Sequence, residues 1–297
     1  MDWVYHSLPR ETNIESITAL KGSTSTTLYH IKTDRKAYVL RLYDNKDWLS
    51  EEPDLAAHEA ASLRQAAHLS SPLIHTPEVV NVDETGESTG MPTVLMTHIQ
   101  GDIDLSPNHF NEWLKELAGA LFAIHQIPLP PNGFKWAFHR YNKPEDLHVP
   151  AWTKQPELWE KAIEFVRQPS PSYQDCYIHR DYHPVNVLWE DEKIVGIVDW
   201  ANACRGPAGI DLGHCRNNLV ALFGIEAAGT FLNHYQRLAG NAFQYHPYWD
   251  LVAFLDFTFP GPPDVYQGWT DFGINHLNGR LIADRLEKYL MSLVACI

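Results

Sequence analysis

The sequence predicts an α+β chain folded as two lobes, on three observations. The first hundred residues read as short β-rich runs, separated by polar turns and interrupted by one Ala- and Leu-rich helix. Near Gly101 the apolar period changes from that of a strand to that of a helix. From there to the C-terminus most of the chain has helical spacing, and 297 residues suffice for two lobes sharing a cleft. This places residues 1–99 in an N-terminal lobe, an antiparallel sheet with one helix, and residues 100–297 in a mainly helical C-terminal lobe.

The elements follow in order. Glu15–Leu20 leads into the polar loop Lys21-Gly22-Ser23-Thr24-Ser25-Thr26, and Leu28–Lys32 and Ala37–Tyr43 flank the turn Thr33-Asp34-Arg35-Lys36, a hairpin signature. Asp54–His68, after Pro53, carries Leu55, Glu59, Leu63 and Ala66 at helical spacing. Val79–Val82 and Pro92–Thr97 are two more β-rich runs around the polar stretch 83–90. Ser106 as cap and Pro107 in the first turn predict a helix running to His125, with Trp113, Leu117, Leu121 and Ile124 on its apolar face. A further helix is expected over Pro156–Arg167, and helices again after Asp211, broken at Pro260-Gly261-Pro262-Pro263.

Composition narrows the function. Hydrophobic residues at 44% and charged residues at 20% are ordinary globular usage. A formal net charge of -14 leaves no excess of Lys and Arg to neutralise phosphates, so no nucleic-acid partner is expected and a neutral or cationic small molecule fits better. Cys176, Cys204, Cys215 and Cys296 form no C-x-x-C pair and no disulfide framework. With no signal-like start and no apolar run long enough to span a membrane, a cytoplasmic protein without a membrane partner is expected. Oligomeric state is not legible.

The chemistry lies in Cys176–Asp211. It reads C-Y-I-H-R-D-Y-H-P-V-N-V-L-W, then I-V-G-I-V-D-W and R-G-P-A-G-I-D-L, a match to the catalytic-loop pattern H-x-D-x-x-x-x-N followed by an aspartate. Val187–Trp189 and Ile194–Val198 lie on either side of Glu190-Asp191-Glu192-Lys193, so they should pair as a hairpin. Counting outward from that turn sets Asn186 opposite Asp199, within a residue. A carboxamide oxygen and a carboxylate are hard ligands suited to magnesium. Asp181, five residues before Asn186, can orient an acceptor hydroxyl or take its proton as a phosphoryl group transfers.

On these residues the segment resembles the aminoglycoside phosphotransferase and choline kinase family, a relative of the protein kinases, and the likeness runs from about Glu15 to the last helices. The resemblance implies a bilobal protein kinase-like fold that uses ATP and Mg, with Asp181 as catalytic base, Asn186 and Asp199 as metal ligands, Asp211 bracing the catalytic loop and His179 structural. It further implies that Gly22, Ser23 and Thr24 cover the nucleotide phosphates. Arg41 stands where the family has a phosphate-contacting Lys, Glu59 is its ion-pair partner, and Met96 and His98 belong to the hinge that meets adenine, with Ile99 and Ile197 as apolar walls. Two further departures are Val185, where many relatives have Gly, and Arg180, where Gly is frequent.

The expected acceptor is a small hydroxyl compound bearing an amine, such as an aminoglycoside, amino alcohol or choline-like molecule. The residues after Asp211 are rich in rings and acids, Tyr235, Tyr248, Trp249, Asp250, Asp256 and Tyr266 among them, which attract cations. Two other readings compete. One is a nucleotide-binding relative without turnover. The other is a transition-metal hydrolase in which His179, Asp181 and His183 share one face of an extended segment.

Overall fold

The computed structural model describes residues 2–21, 25–259 and 261–297. Its N-terminal part comprises α1 (Asp2–Ser7), β1 (Ile14–Ala19), β2 (Thr27–Thr33), β3 (Ala37–Leu42), α2 (Lys46–Glu51), α3 (Leu55–Ala66), β4 (Val79–Asp83) and β5 (Thr93–Thr97). The five strands form one antiparallel sheet in the order β1-β2-β3-β5-β4. At the β2–β3 turn the Thr33 hydroxyl accepts from the N–H of Lys36 at 3.1 Å, which sets the Lys32–Ala37 register.

Sequence periodicity anticipated α3 but neither α1 nor α2. Both are six residues long, too short to show a period. Asn45 caps α2 by accepting from the N–H groups of Asp47 and Trp48, while Val4 of α1 joins Ile31, Tyr38, Leu40 and Leu95 in a small core on one face of the sheet.

The remainder holds α4 (Phe110–His125), α5 (Pro156–Arg167), β6 (Asp175–Ile178), β7 (Val187–Glu190), β8 (Lys193–Ile197), β9 (Cys204–Pro207), α6 (Ala208–Phe223), α7 (Ile225–Ala239), α8 (Pro247–Thr258), α9 (Gln267–Asp271) and α10 (Gly279–Val294). The helix expected from Ser106 begins instead at Phe110, because the Ser106 N–H closes a turn on the Asp104 carboxylate at 2.9 Å and His109 takes the cap position. The pairing of β6 with β9 was not foreseen either, since four residues per strand carry almost no pattern.

Helix α6 is central and packs on α7, α8 and α10. Gly209 and Gly213 permit its close approach to α8: a Cβ on them would lie 2.7 Å from the Trp249 side chain and 2.8 Å from the Ala253 Cβ. The catalytic hairpin β7–β8 is clamped to the segment after β5, with Asp102 N donating to Trp189 O at 2.9 Å and Trp189 N to Asp102 O at 2.8 Å. Gly196 lies under Ile99, whose Cγ2 would be 2.6 Å from an added Cβ.

Helix α3 binds the sheet to the helical part through polar contacts as well as apolar ones. The His58 ring stacks on Trp136 at 4.4 Å, its Nε2 meets Ala203 O at 2.7 Å, and the Tyr177 hydroxyl donates to Ser62 O. Burial pushes the His58 imidazole down to about 4. An unfolded His58 takes a proton near its ordinary value, so this contribution to stability is complete above about pH 6.5 and is lost as pH falls from there through about 4. The loss amounts to at most about 3 kcal/mol. Denaturant midpoints of the wild type and His58→Gln should therefore converge on going from pH 7.5 to pH 5. A parallel decline in both would remove His58 from the acid response.

Candidate active site

The catalytic loop leaves β6 at His179 and is held from two sides. Asp211, in the first turn of α6 and fully buried, accepts the N–H of His179 at 2.7 Å and of Arg180 at 2.6 Å. Its Oδ2 also meets His125 Nε2 at 3.1 Å, and the other nitrogen of that ring meets the Tyr235 hydroxyl at 2.7 Å. On the opposite side His179 Nε2 meets Val198 O at 2.9 Å, tying the loop to the end of β8. One anchor is the Asp211 carboxylate on loop N–H groups and the other the Val198 carbonyl on the His179 ring, so neither depends on the Asp181 side chain.

Asn186 ends a 3₁₀ turn, Pro184–Asn186, in which Val185 is buried and takes no left-handed φ, so the turn asks for no glycine. The Asn186 amide nitrogen donates to Asp181 O at 2.8 Å and Asp181 Oδ2 at 3.2 Å, which leaves its carbonyl oxygen as a donor for a cation. Asp191 and Glu192 both have positive φ, forming the tight turn that closes the β7–β8 hairpin. Val187 pairs with Ile197 and Val198 N donates to Asn186 O at 3.0 Å, so Asp199 lies one residue beyond the position opposite Asn186.

Asp199 itself has φ 66, a left-handed conformation rare for a residue with a side chain and typical of functional strain. One of its oxygens, Oδ1, accepts from Arg41 Nη1 at 2.7 Å. Its other oxygen and the Asn186 carbonyl are the hard donors that would hold magnesium, a set that fits an ion keeping its remaining positions for phosphate and water.

Arg41 is buried on β3 between two carboxylates, with Nε 3.4 Å from Glu59 Oε1 and Nη1 on Asp199. Burial opposes its charge, but Asp199 and Glu59 outweigh that cost and raise it well above its ordinary value. Glu59 is fixed in turn by the Tyr43 hydroxyl at 2.8 Å. The sheet, helix α3 and the catalytic hairpin thus meet in one chain of contacts. Gly22, Ser23 and Thr24 lie outside the described residues. Met96 is buried in the sheet, and the His98 N–H donates to Ala37 O at 3.0 Å, committing that donor to the sheet and not to a base. Ile197 is likewise fully buried.

Around Asp181 the sequence missed a neighbour. His214, one turn beyond Asp211 on α6, sets Nε2 3.0 Å from Asp181 Oδ1, and His183 Nε2 lies 3.8 Å from the same oxygen. The signal was the spacing: a residue three after a helical side chain facing the catalytic loop faces it too. His179, by contrast, is engaged by Val198 O, so the H-x-D-x-H trio does not assemble as the competing hydrolase reading requires. Burial alone would raise the Asp181 carboxyl, but His183 and His214 outweigh it and hold Asp181 well below the usual carboxylate range, while burial pushes His183 down to about 4. At neutral pH Asp181 is therefore an ionised carboxylate beside a neutral imidazole.

Arg180 also has a left-handed φ, 67, and lays its guanidinium over the Tyr141 ring at 4.1 Å while donating to His139 O at 2.8 Å. Much of the ring-and-acid set after Asp211 is structural. Tyr235, Trp249 and Trp269 are buried, and Asp250 is bound by Arg216 and the Tyr289 hydroxyl. Tyr266, 6.0 Å from the His183 ring, remains beside the site. A cavity of about 370 Å³ lined by Phe138, Arg140, Tyr173, Tyr248 and Trp249 shares no residue with the Asp181 cluster.

Known proteins share this fold. Homoserine kinase of Rhodopseudomonas palustris (strain BisA53) is 24% identical over 227 residues, covering 71% of this chain and 67% of that protein. Among solved structures, a thermostable mutant of aminoglycoside phosphotransferase APH(4)-Ia, in a ternary complex with ADP and hygromycin B, superimposes with a TM-score of 0.59 at 15% identity, covering 94% of this chain and 95% of the other. Amicoumacin kinase hAmiN, solved with AMP-PNP, Ca2+ and Ami, gives 0.63 at 13% identity over 100% of this chain and 93% of the other. The fold is accordingly the bilobal kinase-like one. The family model for the phosphotransferase enzyme family (APH) matches residues 16–255, which contain Arg41, Glu59, Asp181, Asn186, Asp199 and His214, and the chain belongs to that family.

Proposed function

We propose that the protein is an ATP- and magnesium-dependent small-molecule kinase that moves a γ-phosphoryl group onto a hydroxyl of a small, amine-bearing acceptor. In this reading residues 1–99 form the nucleotide lobe and residues 100–297 the catalytic and acceptor lobe. The observation that carries it is the pair of contact sets Glu59–Arg41–Asp199 and Asn186–Asp181, joined through the Val198–Asn186 backbone bond, which supply a guanidinium, a carboxamide and three carboxylates. What magnesium supplies when bound is neutralisation of charge across the transferring phosphates. Asn186 and Asp199 would hold it. Arg41 presents its positive charge to the phosphates in place of the family's Lys.

Asp181 receives the acceptor hydroxyl. Because it is held firmly ionised, it is a weak base, suited to orienting the hydroxyl and taking its proton late, when transfer is advanced and the oxygen has become acidic. A cationic acceptor is supported by the net charge of -14 and by the Tyr266 ring near the Asp181 carboxylate. The homoserine kinase relative, the aminoglycoside phosphotransferase solved with hygromycin B and the amicoumacin kinase support a small-molecule acceptor.

ATP consumption across a panel of amino alcohols, hydroxy amino acids and aminoglycosides tests this. At least one class should be phosphorylated with magnesium present, and N-acetylation of that acceptor should weaken its use. Silence on every acceptor would favour a nucleotide-binding relative without turnover, and equal use of the acetylated compound would remove the amine from the reading.

A further inference from the structure

The acceptor side of the loop surrounds Asp181 with two imidazoles that phosphoryl transfer does not call for. Asp181 Oδ1, His183 Nε2 and His214 Nε2 all lie within 4.8 Å of one another, with 3.0 Å between Asp181 and His214 and 3.8 Å between Asp181 and His183. A tetrahedral zinc site with bonds of about 2.0–2.2 Å separates its ligand atoms by roughly 3.3 Å, a spacing these pairs straddle.

A second, independent observation concerns His183. It is only 6% exposed, its Nδ1 is buried without a partner among the described residues, and its Nε2, at 3.8 Å from Asp181, lies beyond hydrogen-bond reach of that carboxylate. A buried polar ring left this way costs free energy unless something meets it. Its Nε2 approaches the same Asp181 oxygen that His214 meets.

We infer that Asp181, His183 and His214 form a binding site for a zinc-class divalent transition metal, distinct from the magnesium position of Asn186 and Asp199, and that its occupancy stops phosphoryl transfer. Two imidazoles and one carboxylate select zinc or cobalt over magnesium, which prefers oxygen donors alone. The block follows because a carboxylate oxygen bonded to a cation can no longer accept the proton of an acceptor hydroxyl. This second half rests on the kinase reading of Asp181. The first half does not.

The test uses the full-length protein without nucleotide or acceptor. Cobalt(II) titration should give the intense visible absorption of a four- or five-coordinate site, and zinc bound at equilibrium dialysis should compete with it. His214→Ala and His183→Gln should each weaken zinc binding at least about tenfold, whereas Asp199→Asn should leave it unchanged. His214 is the more exposed ring, at 24%, so His214→Ala carries the test if the buried substitution fails to fold. In excess magnesium, zinc should abolish acceptor-dependent ATP consumption and a chelator should restore it.

Unchanged zinc affinity in His214→Ala, or affinity lost in Asp199→Asn, overturns the site. Turnover untouched by bound zinc overturns the block. Zinc held through the histidines by a protein that phosphorylates no acceptor would retire the kinase reading and leave the metal site standing.

Discussion

Replacing Asp181 with Ala should reduce phosphoryl transfer by about 10²–10⁴-fold or to background, with nucleotide affinity largely kept. The separation follows from the contacts. The loop that carries Asp181 is held by Asp211 and Val198 acting on His179 and Arg180, so removing the Asp181 carboxylate leaves the backbone anchored. Asn186 loses one acceptor, Asp181 Oδ2, and keeps the other, the Asp181 carbonyl at 2.8 Å.

Asp199→Ala should behave differently. It removes a proposed cation ligand and leaves Arg41, buried on β3, with Glu59 as its one remaining acidic partner among the described residues. Both turnover and magnesium-dependent nucleotide affinity should then fall. Steady-state kinetics with calorimetric titration of a non-hydrolysable ATP analogue, with and without magnesium, separates the two. Turnover near the wild-type level in Asp181→Ala would remove its assigned role, and nucleotide affinity unaltered in Asp199→Ala would do the same for Asp199.

The register of these residues was legible in the sequence because it rests on short-range geometry. A two-residue turn at Asp191 and Glu192 fixes the hairpin, and the hairpin fixes how Asn186 and Asp199 meet, so counting residues came within one position of the observed register. The Arg41–Glu59 contact was expected from the family resemblance, and it forms because each residue occupies a fixed position on a regular element. What escaped was set by long-range packing. His214 lies 33 positions after Asp181, and only its three-residue spacing from Asp211, itself set against the loop by long-range packing, marks it as a neighbour. The same holds for the aromatic and acidic residues after Asp211. Composition marked them as a cation-binding surface, but Asp250 is bound by a buried Arg216, and Tyr235 completes the support of His125. Buried charges need partners and buried hydroxyls need acceptors, so a helical lobe of this size uses polar residues internally before any reach the substrate.

Asp211 shows the strongest case of that internal use, and Asp211→Ala should be the most destabilising of the substitutions considered. The side chain is fully buried and accepts three interactions: the N–H groups of His179 and Arg180 and the His125 ring. Truncation strands two backbone donors and an imidazole in the interior, each costing about 1–3 kcal/mol. A total of about 3–5 kcal/mol is expected, a midpoint shift on the order of 10 °C for a chain of this length. Asp211→Asn keeps one acceptor oxygen and should recover part of the loss.

Activity should follow stability in an informative way. Arg180 holds a left-handed φ that only its surroundings enforce, and the Asp211–Arg180 N–H bond at 2.6 Å is the nearest of those constraints. When it goes, the loop should relax and displace Asp181 even in the fraction that remains folded. At a temperature where Asp211→Asn is fully folded, kcat should fall more than nucleotide affinity, and amide exchange should quicken over residues 179–186. Thermal denaturation, kinetics and hydrogen exchange on the same samples decide it. A variant with an unchanged midpoint and unchanged protection of the loop would mean that His179 and the flanking strand hold Asp181 without help from α6.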